Sequence, residues 1–517
     1  MSFPSVPPWV VVAAMLPLLG VGAILVSGSF DEPREVKRLG KNLPVNGGAP
    51  DPADISAHNS PALSRNPRNP RNLVVANRID SPRFACALHV SLDGGRTWSQ
   101  TPIPAPKRER ACYAPDVAFG ADGALHLSFV TLRGRANAPN AVWTASSTDG
   151  GRTLSKPAKA VGKLAFQVRL AADPARPKRL YMTWLQASEV GLFRFTEPGN
   201  PIRVARSDDG GATWSSPVRV SPPSRERVVA PAPAVGRAGE LYVLYLDLGA
   251  GQLDYAGAHG GRGGPPDRGP WQLVLGESRD GGTTWKESVA EQRLSPPERF
   301  VVFTPPFPSI AVDRDSGRIY AGFYDRRSGD PDVWVWSRQE GRTSWDGPTR
   351  VNDTPQPDRT SQYLPKLAVA PDGRLDVLYY DRRLDPRNLR TEVSLQYSED
   401  GGESFSRRVP VSDRNFDSRI GYGAERHLPD LGGRLGLLST ESRAFAVWTD
   451  TRGGTRASGK QDLARGVVAL AEQPPRLSDA AKLALRLGGA LLILAGVGLV
   501  AARVSRDSLL RSRRLRT

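Results

Sequence analysis

Apolar residues along most of this chain come in short runs of strand length, not at helical spacing. Pro365–Tyr380 (PKLAVAPDGRLDVLYY) shows the pattern: an alternating apolar stretch, a turn with Asp and Gly, then a second stretch ending in tyrosines. The module recurs in Pro115–Phe129 and Pro308–Tyr324, and more loosely in Pro61–Ile79, Gln167–Leu185, Pro231–Leu246 and Leu428–Thr449, seven in all. Short alternating runs bounded by turn formers predict antiparallel strands. The two ends depart from this. Trp9–Gly28 is apolar over about the length of a bilayer crossing, as is Leu487–Ala502 once Leu483–Leu485 extend it past Arg486.

Between the modules lies a second repeat. Ser278–Trp285 (SRDGGTTW) is matched by Ser91–Trp98, Ser147–Leu154, Ser207–Trp214 and Ser398–Phe405, and a frayed copy runs from Ser337 to Trp345. In such an octamer the Asp carboxylate accepts hydrogen bonds from amides of its own turn, and the Gly pair supplies positive φ without steric cost. Recurrence at roughly 55 to 70 residues marks an array of small sheets, a β-propeller or a solenoid.

The octamer resembles the Asp-box (BNR) repeat of the sialidase-like propellers, across most of residues 40–470. The resemblance implies an all-β fold: a β-propeller of four-stranded blades, each module supplying strands 1 and 2 and each Asp box turning strand 3 into strand 4. Seven modules against six boxes predict seven blades, with six as the alternative. The last module is followed by a strand-3 candidate, Leu463–Leu470, but by no box. Its strand 4 is then expected from Asn42-Leu43-Pro44-Val45-Asn46, which resembles the strand-4 segment Thr349-Arg350-Val351-Asn352 and would close the ring. Strand direction puts the boxes and the strand 1–2 turns on one face, and the strand 2–3 and 4–1 loops on the other.

Composition adds compartment and partners. The formal charge is +17, but the positive residues are spread through loops, with a dense block only in the last fifteen positions, so nucleic acid is not expected as a partner. The chain divides as 1–30, a signal peptide or an N-terminal membrane anchor; 31–470, the propeller; 471–482, a linker; 483–502, a transmembrane helix; and 503–517, a basic tail. By the positive-inside rule the tail is cytoplasmic and the propeller lies outside the membrane. Cys86 and Cys112 are the sole cysteines, and in an exported domain they read as one disulfide between adjacent blades.

Candidate chemistry sits on the second face. Strand 2 ends in Asp247, Asp325, Asp381 and Asp450, and the last three are followed two residues later by Arg327, Arg383 and Arg452. Guanidinium forks at equivalent blade positions either converge on an anionic ligand or bridge neighbouring blades. Loops leading into blades add His58, Arg359, Tyr363, Tyr422, Glu425, Arg426 and His427, and Gly249–Pro270 is a Gly-rich insertion, a lid or a tolerated extra loop. Sialidases bind the sugar carboxylate with an Arg triad and use a Tyr–Glu pair with an Asp acid/base. Here Asn59 stands where the first Arg belongs, while Arg78 and Asp80 loosely match a second Arg and the acid/base.

The expected catalytic groups are therefore Asp80, Glu425, His427 and Tyr363. The expected ligand-binding groups are Arg78, Arg327, Arg383, Arg452, Asp325, Asp381 and Asp450, with no metal and no cofactor. The expected function is a membrane-tethered extracytoplasmic propeller that binds or hydrolyses glycans, if an enzyme then a glycoside hydrolase. The alternatives are a non-catalytic propeller for a protein or cell-envelope polymer, or a scaffold for a membrane complex.

Overall fold

The computed structural model describes residues 8–29, 34–47, 55–106, 109, 111–134, 137–188, 199–250, 270–295, 307–421, 431–471 and 479–514. They form two compact units, one of residues 37–469 and one of the two chain ends.

The larger unit is a seven-bladed β-propeller of four-stranded antiparallel blades. Each module became the two inner strands of a blade: Pro365–Tyr380, for example, lies within Gln362–Val369 and Leu375–Asp381. The first strands of successive blades touch one another, and Gly436–Ser439 of blade 7 touches His58–Arg65 of blade 1, so the ring is closed. Apolar side chains fill the seams. Tyr181 and Val204 of blade 3 pack with Leu241, Val243 and Val274 of blade 4, all nearly inaccessible to solvent. Burying each such side chain is worth roughly 1.5–3 kcal/mol.

Closure follows the expected route. Leu43 and Pro44 pair antiparallel with Arg465 and Ala464 of the strand Asp462–Leu470. A second short strand, Val36–Arg38, joins the same sheet, an addition to the expected segment. The likeness of Asn46 to Asn352 is physical. Asn46 Oδ1 accepts from Leu463 N–H at 2.8 Å and its Nδ2 donates to Asp462 at 2.9 Å. Asn352 does the same with Val333 N–H at 2.9 Å and Asp332 at 2.6 Å.

The octamers form the strand 3–4 turns. Ser278 Oγ accepts from Gly282 N–H at 2.8 Å and donates to Asp280 at 2.8 Å. Asp280 in turn accepts from Thr283 N–H at 3.0 Å, Thr284 N–H at 2.9 Å and Thr284 Oγ1 at 2.6 Å. The second glycine of each turn lies against the preceding blade: a Cβ on Gly95 would meet Phe445 of blade 7 at 2.6 Å, and one on Gly151 would meet Val90 of blade 1 at 3.0 Å. The frayed copy on blade 5 lacks the glycine contact, with nothing within 4 Å of a Cβ on Gly341, and reaches blade 4 instead through Trp345 Nε1, which donates to Ser288 at 3.1 Å. Cys86 and Cys112 are joined in a disulfide between blades 1 and 2, with Cα atoms 5.5 Å apart.

The smaller unit holds two helices, α1 (Pro8–Ser29) and α2 (Asp479–Arg514). Within α2, Leu483–Leu510 is long and apolar enough to cross a membrane, whereas the apolar part of α1, Trp9–Ile24, is shorter. The helix continues through Arg503, Arg506 and Arg511 to Arg514, so the basic residues prolong it. α1 packs on α2 through glycines: a Cβ on Gly20 would lie 2.4 Å from the Gly489 carbonyl oxygen, and one on Gly496 2.5 Å from Pro17. Small residues of this kind let helix backbones approach closely. Arg503 lies over the Trp9 ring, 5.4 Å from its centroid.

Candidate functional site

The strand-2 aspartates and their arginines form a repeating station at successive seams. Arg327 forks onto Asp325, reaches Glu291 of blade 4 at 2.9 Å, and lies over the Trp334 and Trp336 rings. Arg383 pairs with Asp381 and with Asp353 at the end of blade 5, both at 2.6 Å. Arg452 pairs with Asp450 at 2.6 Å and with Asp413 at the end of blade 6. Each arginine thus ties strand 2 of its blade to the fourth strand, or the residue just past it, of the blade before. The three occupy three different seams, and each has its own pair of carboxylates.

At the last of these seams the surface opens into a cleft of about 930 Å³ between blades 6 and 7, on the face of the strand 2–3 and 4–1 loops. Arg38, Arg390, Arg408, Arg414 and Arg452 line it, against Glu392, Asp413 and Asp417, with Leu384, Pro410, Phe416 and Ile420 as its apolar parts. Five arginines against three carboxylates leave a net positive site. Arg414 is exposed. Arg390 donates to Asn415 at 2.9 Å, and neither arginine has an ion pair among the described residues.

The carboxyl groups differ in their environments. Burial pushes Glu392 up to about 6, even though Arg408 pairs with it. The Arg419 guanidinium, donating to Asp417 at 2.6 Å, holds that carboxyl below the usual range. Partial burial opposes ionisation of Asp413, but the Asn42 N–H and Arg452 outweigh it and keep its carboxyl low as well. One site thus contains a carboxyl pushed up to about 6 and two held low, a separation of the kind that acid and base roles use.

The other expected residues lie elsewhere. Asp80 is buried in blade 1, where its Oδ2 accepts from Asn59 Nδ2 at 2.7 Å and from Arg78 at 3.0 Å. Arg78 also donates to Tyr113 of blade 2 at 2.8 Å, and Asn59 to Gln461 of blade 7 at 3.2 Å, so this network spans three blades. Tyr363 is 4 % exposed in an aromatic stack with Tyr324 and Tyr380, with Arg382 over its ring at 4.9 Å. His58 is buried against Asn77. Tyr422, Glu425, Arg426 and His427 lie outside the described residues, as does most of the Gly249–Pro270 insertion. Of the expected ligand-binding arginines, Arg452 lines the cleft.

Sequence reading missed Arg390, Glu392, Arg408, Asp413 and Arg414. A signal for one of them existed: Val411-Ser412-Asp413 repeats the Val351-Asn352-Asp353 pattern that ends blade 5. Among the described residues no three His, Cys, Asp or Glu side chains are grouped to hold a metal ion.

No family model matches the chain, and no curated protein matches it. Solved structures do. A protein of unknown function from Dyadobacter fermentans is 12 % identical, with 84 % of this chain and 99 % of that one covered at a TM-score of 0.46. A Hadza microbial sialidase is 14 % identical, with 76 % and 73 % covered at 0.42. An ulvan lyase, bound to a glucuronate–sulfated rhamnose unit, is 11 % identical, with 83 % and 93 % covered at 0.44.

Proposed function

We propose that this chain is a membrane-tethered, extracytoplasmic propeller that binds an acidic glycan in the cleft between blades 6 and 7. The observation that carries this reading is the excess of arginine in a cleft of about 930 Å³, a volume suited to a few sugar units. Guanidinium groups pair with carboxylates and sulfate esters through two parallel hydrogen bonds. The octamers' resemblance to those of sialidase-like propellers narrows the acidic ligand to glycans. For the tether, the support is the apolar length of α2 with arginines at its end, and the disulfide suits an oxidising compartment. The glycine contacts between α1 and α2 favour α1 as a retained anchor over a cleaved signal.

The test is a glycan array on the detergent-solubilised full chain. Uronate- and sulfate-bearing oligosaccharides are expected to bind and neutral ones not, with affinity falling about tenfold or more in Arg390→Ala/Arg414→Ala, the loss of roughly one charge-assisted pair. Equal binding of neutral sugars, or an unaffected double variant, would remove the reading.

Glycoside hydrolysis is a second reading, and Glu392 is the observation that favours it. Protonated below about pH 6, it has the character of a general acid in the same cleft as Asp413 and Asp417, whose carboxyls are held low. Turnover of fluorogenic glycosides should then decline as pH rises above about 6 and disappear in Glu392→Gln. In this reading Asp80 and Tyr363 have positioning and packing duties. Absence of turnover with binding retained leaves a non-catalytic receptor for an envelope polymer.

A further inference from the structure

The innermost strands of five blades share a break in register, with a non-glycine residue at positive φ. These are Ser60 (54°), Ala114 (47°), Gln167 (54°), Ala230 (60°) and Leu364 (55°). A bulge of this kind re-aims the side chain that follows it. The first paired positions after the breaks are Ala62, Asp116, Arg169, Ala232 and Lys366. Three of the five carry charge, and blades 2 and 3 lie across the ring from blade 6. Side chains from these blades meet where the blades converge, at the axis.

Asp116 is the hub. Its Oδ2 accepts from Arg169 Nε at 2.8 Å and from Leu170 N–H at 3.0 Å, while Arg434 Nη1 lies 3.2 Å from Oδ1. Arg434 Nη2 donates to the Pro115 carbonyl at 2.8 Å. Lys366 comes close enough that the charges of Arg169, Asp116 and Arg434 act on its ammonium. Two guanidinium groups therefore contact one carboxylate, and the Lys366 ammonium is near enough to feel their charges.

Their donors are not used up. Lys366 has no hydrogen bond or ion pair among the described residues, and neither terminal nitrogen of Arg169 has a hydrogen-bond acceptor there. Arg434 Nη1 is buried with nothing beyond its contact to Asp116. Phe307 closes one side, its ring 5.4 Å from the Arg169 guanidinium carbon. Burial and then Arg169 push the Lys366 ammonium down to about 8, and burial pushes Arg434 down to about 10. Both shifts are the mark of positive charge that its surroundings do not fully compensate, with Lys366 and Arg434 both half-buried.

We propose that this axial cluster is a binding site for a small oxyanion, held by Lys366 and the spare donors of Arg169 and Arg434, which locks blades 2, 3, 6 and 7 to one another across the ring. None of its residues lines the cleft, so it stands or falls independently of the glycan reading. A free inorganic anion and the acidic group of a longer ligand offer the same chemistry.

The experiment is thermal unfolding of the full chain at constant ionic strength, titrated with inorganic phosphate, sulfate or glucuronate against chloride. A saturable rise in Tm on the order of 2 °C is expected from the bound anion. Saturation by phosphate or sulfate identifies a free anion, and saturation by glucuronate alone an acidic ligand group. Lys366→Met should abolish the rise and Lys366→Arg should keep it, which separates loss of charge from loss of packing. No rise with any of the three, or the same rise in all three proteins, overturns the site.

Discussion

Asn77 stands between two buried histidines, and its position shows how one residue makes blade 1 sensitive to acid. His89 Nε2 donates to Asn77 Oδ1 at 3.1 Å, and Asn77 Nδ2 faces His58 Nδ1 at 3.1 Å. Burial, and then His58 at a ring distance of 6.2 Å, push His89 down to about 3. The unfolded chain takes up a proton on this side chain below about pH 6.5, and the folded chain does not until about pH 3. Stability contributed here is therefore present above pH 6.5 and lost as pH falls toward 3, at roughly 1.4 kcal/mol per unit. Urea unfolding at pH 7 and pH 5 should show a loss of roughly 2 kcal/mol in the native protein, and a clearly smaller loss in His89→Gln. Equal losses would mean that other groups carry the acid response.

At the scale of the element, the strand 3–4 turn separates two roles that adjacent glycines play. Gly94 has φ 78° and nothing within 4 Å of a Cβ, whereas Gly95 has φ 84° and the Phe445 ring at 2.6 Å. Gly94→Ala then costs the left-handed backbone alone, about 1 kcal/mol, and Gly95→Ala adds a clash with blade 7, for about 3 kcal/mol or more. Thermal unfolding of the two variants checks the order, and a reversal would show that the inter-blade contact is slack. The turn's interior was legible in sequence because its bonds are local: Asp280 binds Thr283 and Thr284, three and four residues on. The arginine stations were legible only in part. The Asp-x-Arg spacing displayed Arg383 and Asp381, but their partner Asp353 lies thirty positions back and carries no local mark.

For the whole molecule, stability depends on the first and last strands meeting. Asn42 Nδ2 donates to the Val411 carbonyl at 3.0 Å and Val45 N–H to the Leu463 carbonyl at 2.8 Å, so the segment seals the open edge of blade 7 and also reaches blade 6. Deleting residues 37–46 should leave the edge of Asp462–Leu470 unpaired. The expected result is a Tm lower by roughly 5 °C or more with self-association in size-exclusion chromatography, since exposed strand edges recruit other chains. A monomer of unchanged Tm would show that blade 7 is complete without it. At the same scale, the Gly20–Gly489 contact predicts that the intact mass of the purified protein includes α1, and a mass beginning near Ser29 would make that helix a cleaved signal.

Strand periodicity and the octamers marked the strands and their turns, and the resemblance together with seven modules against six boxes favoured a propeller of seven blades closed by Asn42–Asn46. The strands and turns were legible because they rest on hydrogen bonds within a turn or on alternation along a single strand, whereas the pairing that closes the ring joins Leu43 to Arg465 and was confirmed by the tertiary structure. The cleft and the axial cluster were decided by tertiary structure. Arg38 and Arg452 become neighbours of one cleft because the ends of the chain meet there. Asp116 finds Arg434 because closing the ring brings distant blades to one axis. Charge pairing across seams depends on which blades are adjacent, and adjacency is a property of the closed ring, not of any stretch of residues within it.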